Sequence, residues 1–137
     1  MGEVRTEITL VNIGDKEIAN RGYIPEDQVR QITVNAVVDT GAWTLVINEE
    51  TREKLGLRVE EAKEVTTAGG VTIPGVITGY VEVRWKDRKT ACEAIVLPGE
   101  DDVLLGALPL EGMDLMVHPL ENRVIGAHGS KMRYVVK

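Results

Sequence analysis

The stretch AVVDTGAWTLVI, residues 36–47, sets one aspartate between two runs of apolar β-formers, immediately before a Thr-Gly turn. In a surface turn an Asp-Thr-Gly is ordinary, because Asp and Thr bond to nearby backbone and Gly supplies positive φ. Here both flanks read as strand. Ile32, Val34 and Ala36 alternate on one face, and Val37-Val38 then ends the alternation as a continuous apolar run, the pattern expected of a strand buried on both faces. A charge held that close to a core is costly unless something pairs it or uses it. The fold must therefore give Asp39 a partner or a task.

The rest of the chain reads as more short strands. Its 137 residues suit a single domain, and Leu, Ile and Val, no Phe and 14 Gly fit strands joined by tight turns, so the expected class is all-β. TEITLVNI reads as a strand ending at Gly14-Asp15, and KEIANRGYIPEDQ as irregular chain or an edge hairpin. NEETREKLG has the grammar of a short helix: Asn48 as N-cap, Glu49 and Glu50 in the first turn, Lys54 in the last and Gly56 as C-cap. Two strand-like arms follow around Ala68-Gly69-Gly70, with Pro74-Gly75 and Gly79 as bends, and Tyr80 to Leu97 reads as a hairpin turning at KDRK. A helical turn from Pro109 to Gly112, a strand toward His118 and a strand in ENRVIG complete the pattern. AHGSKMRYVVK reads as a mobile tail or an added edge strand.

Several function classes lack their residues. A net charge of −6 with no sustained basic run gives no footprint for nucleic acid. The single Cys92 shares a strand face with Ala94 and Val96 and reads as a buried thiol. His118 and His128 lie outside any metal-ligand spacing, so neither metal nor cofactor is expected. Ser130, the only serine, has no G-x-S-x-G around it, and Gly69-Gly70 lacks the Lys and helix start of a phosphate loop. No apolar stretch has the length of a signal peptide or a membrane span, so a cytoplasmic protein with no membrane contact is expected.

The order strand, VVDTGA, short helix, TAGG hairpin, hairpin return and VLLG resembles the retropepsin-like aspartic proteases of retroviral type. Bacterial and archaeal members are similar around LGL (55–57) and LPLEGMDL (108–115). The resemblance implies a closed β-barrel with one or two short helices, a single domain over 1–137 with its motif core at about 30–126, and one protomer of a C2 homodimer. It implies an endopeptidase in which Asp39 is the catalytic carboxylate and two such aspartates share a proton and activate a water. Thr40 would reach the opposite loop, Gly41 would let the backbone turn, and Ala42 would complete the active-site loop. Thr67, Ala68, Gly69 and Gly70 would form a flap over a peptide or protein substrate, with Leu45, Val103, Leu104 and Gly106 at the substrate pockets. Asp-Thr-Gly occurs once and Asp-Ser-Gly nowhere, so the second aspartate would come from a second copy. Trp43 departs from the small or polar residue usual after this motif, and its ring would either narrow a pocket or pack at a dimer seam. ALPLEGM replaces a longer helix of viral relatives. The alternative reading is a dimeric module of the same fold that binds extended peptides without cutting them.

Overall fold

The structure, a computed structural model, describes residues 3–134 and 136. Alternation in RTEITLVN makes β1 (Arg5–Asn12), and α1 (Ile13–Asn20) follows without a break. A 3-10 turn (Glu26–Gln28) leads to β2 (Gln31–Val38), β3 (Leu45–Ile47) and α2 (Glu49–Leu55). β4 (Val59–Thr66), β5 (Thr72–Trp85) and β6 (Arg88–Val96) form a meander. β7 (Leu104–Leu105), α3 (Ala107–Gly112), β8 (Leu115–Val117) and β9 (Val124–Gly126) end the regular structure.

Pairing runs β1-β2-β7-β3-β6-β5, and β5 returns to β1, so six strands close into a ring. The β2–β7 and β3–β6 pairs are parallel and the others antiparallel. β4 pairs only with the first half of β5, which carries this hairpin out beyond the ring. The two arms expected around Ala68-Gly69-Gly70 are β4 and β5, but β5 runs on as one strand through Pro74, Gly75 and Gly79, where bends were expected; its irregularity is a bulge between Ile77 and Tyr80. At the bulge the Thr78 hydroxyl accepts from Ala94 N at 3.2 Å, replacing a ladder bond. Inside the ring Ile8, Leu10, Leu45, Ile47, Val81, Val83 and Leu105 are fully buried, with Leu55 of α2 and Met113 packed against them. Cys92 belongs to this core, and burial pushes its thiol pKa up. Val37 and Val38, expected to be buried on both faces, are only half-buried.

α2 forms as read, with Asn48 Oδ1 accepting from Thr51 N at 2.8 Å and Gly56 left-handed at φ 64°. α1 corrects the sequence reading: the start of the segment expected to be irregular or a hairpin is helical through Asn20, and the α-helices among the described residues number three rather than one or two. Asn12 caps it by accepting from Asp15 N at 2.9 Å, and donates its own amide to Leu55 O at 2.7 Å. Lys16 of α1 lies 2.7 Å from Glu82, which Arg84 also holds. Glu82, on the β5 face opposite Val81 and Val83, is thereby covered. The tail is not a strand over 127–134, and it is tied to Asp114: Ala127 N donates to Asp114 O at 2.8 Å, His128 Nδ1 lies 2.6 Å from Asp114 Oδ1, and Arg133 N donates to Asp114 Oδ2 at 3.1 Å. Arg88, only 3% exposed, donates to the carbonyls of Met113, Asp114 and Gly129. The expected tail also included Val135 and Lys137, which lie outside the described residues.

Asp15 fixes the far end of α1's connection. It accepts from Arg30 N, Nε and Nη2 at 3.0, 2.7 and 2.9 Å. Those bonds hold its carboxyl below the usual range against the opposing effect of burial. A depressed folded-state pKa contributes stability that is complete at neutral pH and disappears as pH falls through the folded value. Asp15→Asn is expected to cost about 1–2 kcal/mol at neutral pH, half-exposure of Arg30 moderating the loss. Urea unfolding of both proteins across pH should show the gap closing below about pH 4.

Candidate active site

Asp39 stands where β2 leaves the ring. Its N–H donates to Leu105 O of β7 at 3.0 Å, and its carbonyl accepts from Ala42 N at 3.0 Å, closing a tight turn over Thr40-Gly41. Its Oδ1 accepts from Gly41 N at 3.0 Å. Oδ2 accepts no hydrogen bond among the described residues. One carboxylate oxygen is thus fixed by its own loop and the other is open to chemistry. Asp39 is half-buried, Thr40 and Gly41 are exposed, and Ala42 is half-buried.

β7 and α3 hold this loop from beneath. Ala107 N donates to Ala42 O at 2.8 Å and Leu108 N to Trp43 O at 3.0 Å. The helix has no side-chain cap, so the loop's carbonyls satisfy its first amides. The approach is so close that a Cβ on Gly106 would lie 2.2 Å from Thr44 O and 2.6 Å from Ala42 O. Gly106 is buried here as part of the support, not as a pocket wall.

Asp39 lines a cleft of about 810 Å³ between the ring and the β4–β5 hairpin. Its floor is a second apolar cluster: Val46, Ile77 and Ile95, with Leu104 packed beside them. These residues come from neighbouring strands in register, Leu104 opposite Val46, Val46 opposite Ile95 and Ile95 opposite Ile77. The hairpin tip turns through Thr67–Val71, where Gly70 N donates to Thr67 O at 2.9 Å and Gly70 has φ 80°. Thr67 and Ala68 line the cleft, while Gly69 and Gly70 are exposed at the tip. Of the expected pocket residues only Leu104 reaches the cleft. Leu45 and Val103 are core residues, because the alternation within β3 and before β7 points them into the ring.

Among the wall residues, sequence left the place of Trp43 open and gave none to Glu93. Trp43 is 58% exposed and lines the cleft next to the Asp39 loop. Glu93 lies on the β6 face shared with Ile95 and Leu97, opposite Cys92 and Ala94; that alternation was available as a signal. His118 serves a turn, its Nδ1 accepting from Glu121 N at 3.0 Å. Among the described residues no group of three or more His, Cys, Asp or Glu side chains is placed to hold a metal, and no helix is long and apolar enough to cross a membrane.

Residues 27–107 match the model of a family described as Aspartyl protease. The solved structures similar to this chain include a crystal structure of the retroviral protease-like domain of Ddi1 from Leishmania major. The two superpose with a TM-score of 0.57 at 19% identity, over 91% of this chain and 88% of that one, a likeness of fold. No curated protein matches the chain.

The support beneath the loop makes Gly106→Ala a sharp test. The methyl has only backbone to displace, so a loss of at least about 1–3 kcal/mol is expected in thermal or urea unfolding. Gly69→Ala, with nothing near its Cβ, should leave stability within about 0.5 kcal/mol of the wild type.

Proposed function

Because this chain belongs to the aspartyl protease family and has its retropepsin-like fold, we propose that it is an endopeptidase whose active centre is two Asp39 carboxylates brought together in a C2 homodimer. The observation that carries this reading is the state of Asp39: one oxygen tied to Gly41 N, the other accepting nothing among the described residues, at the wall of a cleft beneath a hairpin. A single Asp-Thr-Gly per chain supports the two-copy arrangement.

Two carboxylates in close contact resist ionising together, so the pair shares one proton. The ionised partner takes a proton from a water as the water oxygen bonds to the peptide carbonyl carbon. The protonated partner hydrogen-bonds the carbonyl oxygen as charge develops there. Collapse of the tetrahedral intermediate breaks the C–N bond, and the amine leaves with a proton from the dyad. The substrate lies extended between floor and hairpin, its main chain held like an added strand and alternate side chains entering the apolar floor. The glycines at the hairpin tip suit a lid that opens to admit it.

Peptide-library cleavage followed by mass spectrometry tests this reading. Asp39→Asn should lower turnover by at least about a thousand-fold while leaving the protein folded. Sedimentation should show dimers at concentrations that support activity. Rate should fall at alkaline pH as both carboxylates ionise, and an undiminished rate to about pH 9 would contradict the shared proton. Unchanged peptide affinity without any cleavage by the wild type would instead identify a binding module.

A further inference from the structure

The walls of the cleft are more acidic than a peptide-cutting site requires. Five carboxylates line it, those of Asp39, Glu61, Glu64, Glu93 and Glu100, against one cation, Lys63. Elsewhere among the described residues the carboxylates that are buried or half-buried each face a cation: Glu82 faces Lys16 and Arg84, Asp15 faces Arg30, Asp102 faces Arg5, and Asp114 faces Arg88. Among the described residues, Glu61, Glu64, Glu93 and Glu100 form no ion pair. Among the described residues the carboxylates that are half-buried and lack a cation, Asp39, Glu93 and Glu100, thus all line the cleft, whereas Glu7, Glu26, Asp27, Glu53, Asp87, Asp101 and Glu111, also without an ion pair, are exposed elsewhere. A cleft of one sign with apolar walls focuses its field and concentrates ligands of the opposite sign.

Trp43 supplies an independent observation. Its carbonyl is fixed by Leu108 N at 3.0 Å, yet its indole remains 58% exposed at the cleft wall. Thr44, the next residue, donates its hydroxyl to Glu93 O at 2.8 Å, which brings the Trp43 and Glu93 backbones to the same end of the cleft. An exposed indole and a carboxylate lining the same cleft can together receive a lysine or arginine side chain, the ring attracting the cation and the carboxylate neutralising it. The same face of β6 continues into Ile95 and the apolar floor. A ligand spanning both would carry an aliphatic residue and a cationic one close together.

We propose that the cleft selects peptide segments in which a lysine or arginine lies within a few residues of an aliphatic side chain, the aliphatic group seated on Val46, Ile77, Ile95 and Leu104 and the cation held by Glu93 and Trp43. Glu61 and Glu64 on the hairpin add to the attraction from above. The inference rests on the peptidase reading only for the use of this cleft by peptides; the cation preference is a property of binding and is measured without turnover.

The test uses two labelled peptides that share an aliphatic centre and differ only in carrying lysine or norleucine beside it. Fluorescence anisotropy with full-length Asp39→Asn protein reads their affinities. The lysine peptide should bind at least about five-fold more tightly. That margin should shrink in about 0.5 M salt, which screens charges more than a few ångströms apart. In the Asp39→Asn background, Glu93→Gln should remove most of the margin, and Glu61→Gln with Glu64→Gln on the exposed hairpin should reduce it further without disturbing the core. Equal binding of the two peptides, tighter binding of norleucine, or no binding of either overturns the proposal. Cleavage by the wild type is scored separately: library cuts without enrichment of nearby Lys or Arg overturn the cation preference and leave the peptidase standing. Cation-selective binding with no cleavage does the reverse.

Discussion

The missing side chain at Gly106 is the condition on which the site depends. Where β7 passes under the Asp-Thr-Gly loop, the two backbones are too close for any Cβ, with Thr44 O and Ala42 O occupying its place. That closeness lets Leu105 O take the Asp39 amide and lets the first amides of α3 reach the loop's carbonyls. A helix start and a tight loop each leave backbone groups in need of partners, and here each supplies the other's. The arrangement fixes Asp39 through main-chain bonds, which leaves its side chain available for chemistry. It also binds the site to the most deeply buried part of the ring, since Leu105 and Leu45 flank the contact.

A closed ring gives the central strands two apolar duties. Their inward residues fill the core, and the opposite face of β3, β5, β6 and β7 carries the second cluster that floors the cleft. This explains why β3 is apolar at all three positions: Leu45 and Ile47 serve the core and Val46 the cleft. The hairpin needs no such support. β4 is exposed along most of its length and is held chiefly by its ladder to β5, so it can move without disturbing the ring.

Period and turn chemistry made much of this legible in sequence. The Asn48 cap, the Gly56 stop and the alternation of Val81, Val83 and Trp85 all act locally, and α2 and β5 follow them. The phase of a wholly apolar run is not a local property. Leu45-Val46-Ile47 and Val103-Leu104-Leu105 offer three apolar residues each, and only the partner strands decide which one faces the cleft; the expected Leu45 and Val103 point inward for that reason. α1 escaped because IGDKEIAN has few apolar residues and no continuous face. Its signal was the cap, Asn12 three residues before Asp15, hidden at the end of a strand. Glu82 shows the same limit from the other side: alternation assigns its face, while a lysine 66 positions earlier decides its burial.

The charge distribution follows from the same division of labour. Within the ring and at its seams the carboxylates that lose water gain a cation, because an unpaired buried charge would cost more than the fold can carry. Around the cleft no such pressure applies while solvent is present, and unpaired glutamates are tolerated beside the apolar floor. Closing the cleft over a ligand removes that solvent and raises the cost of every uncompensated carboxylate. A neutral peptide would leave the cost standing; a lysine or arginine cancels part of it at the moment of closure. In the proposed C2 assembly two acidic clefts would adjoin, which would sharpen the effect. Discrimination therefore arises as much from the penalty on neutral ligands as from attraction to charged ones.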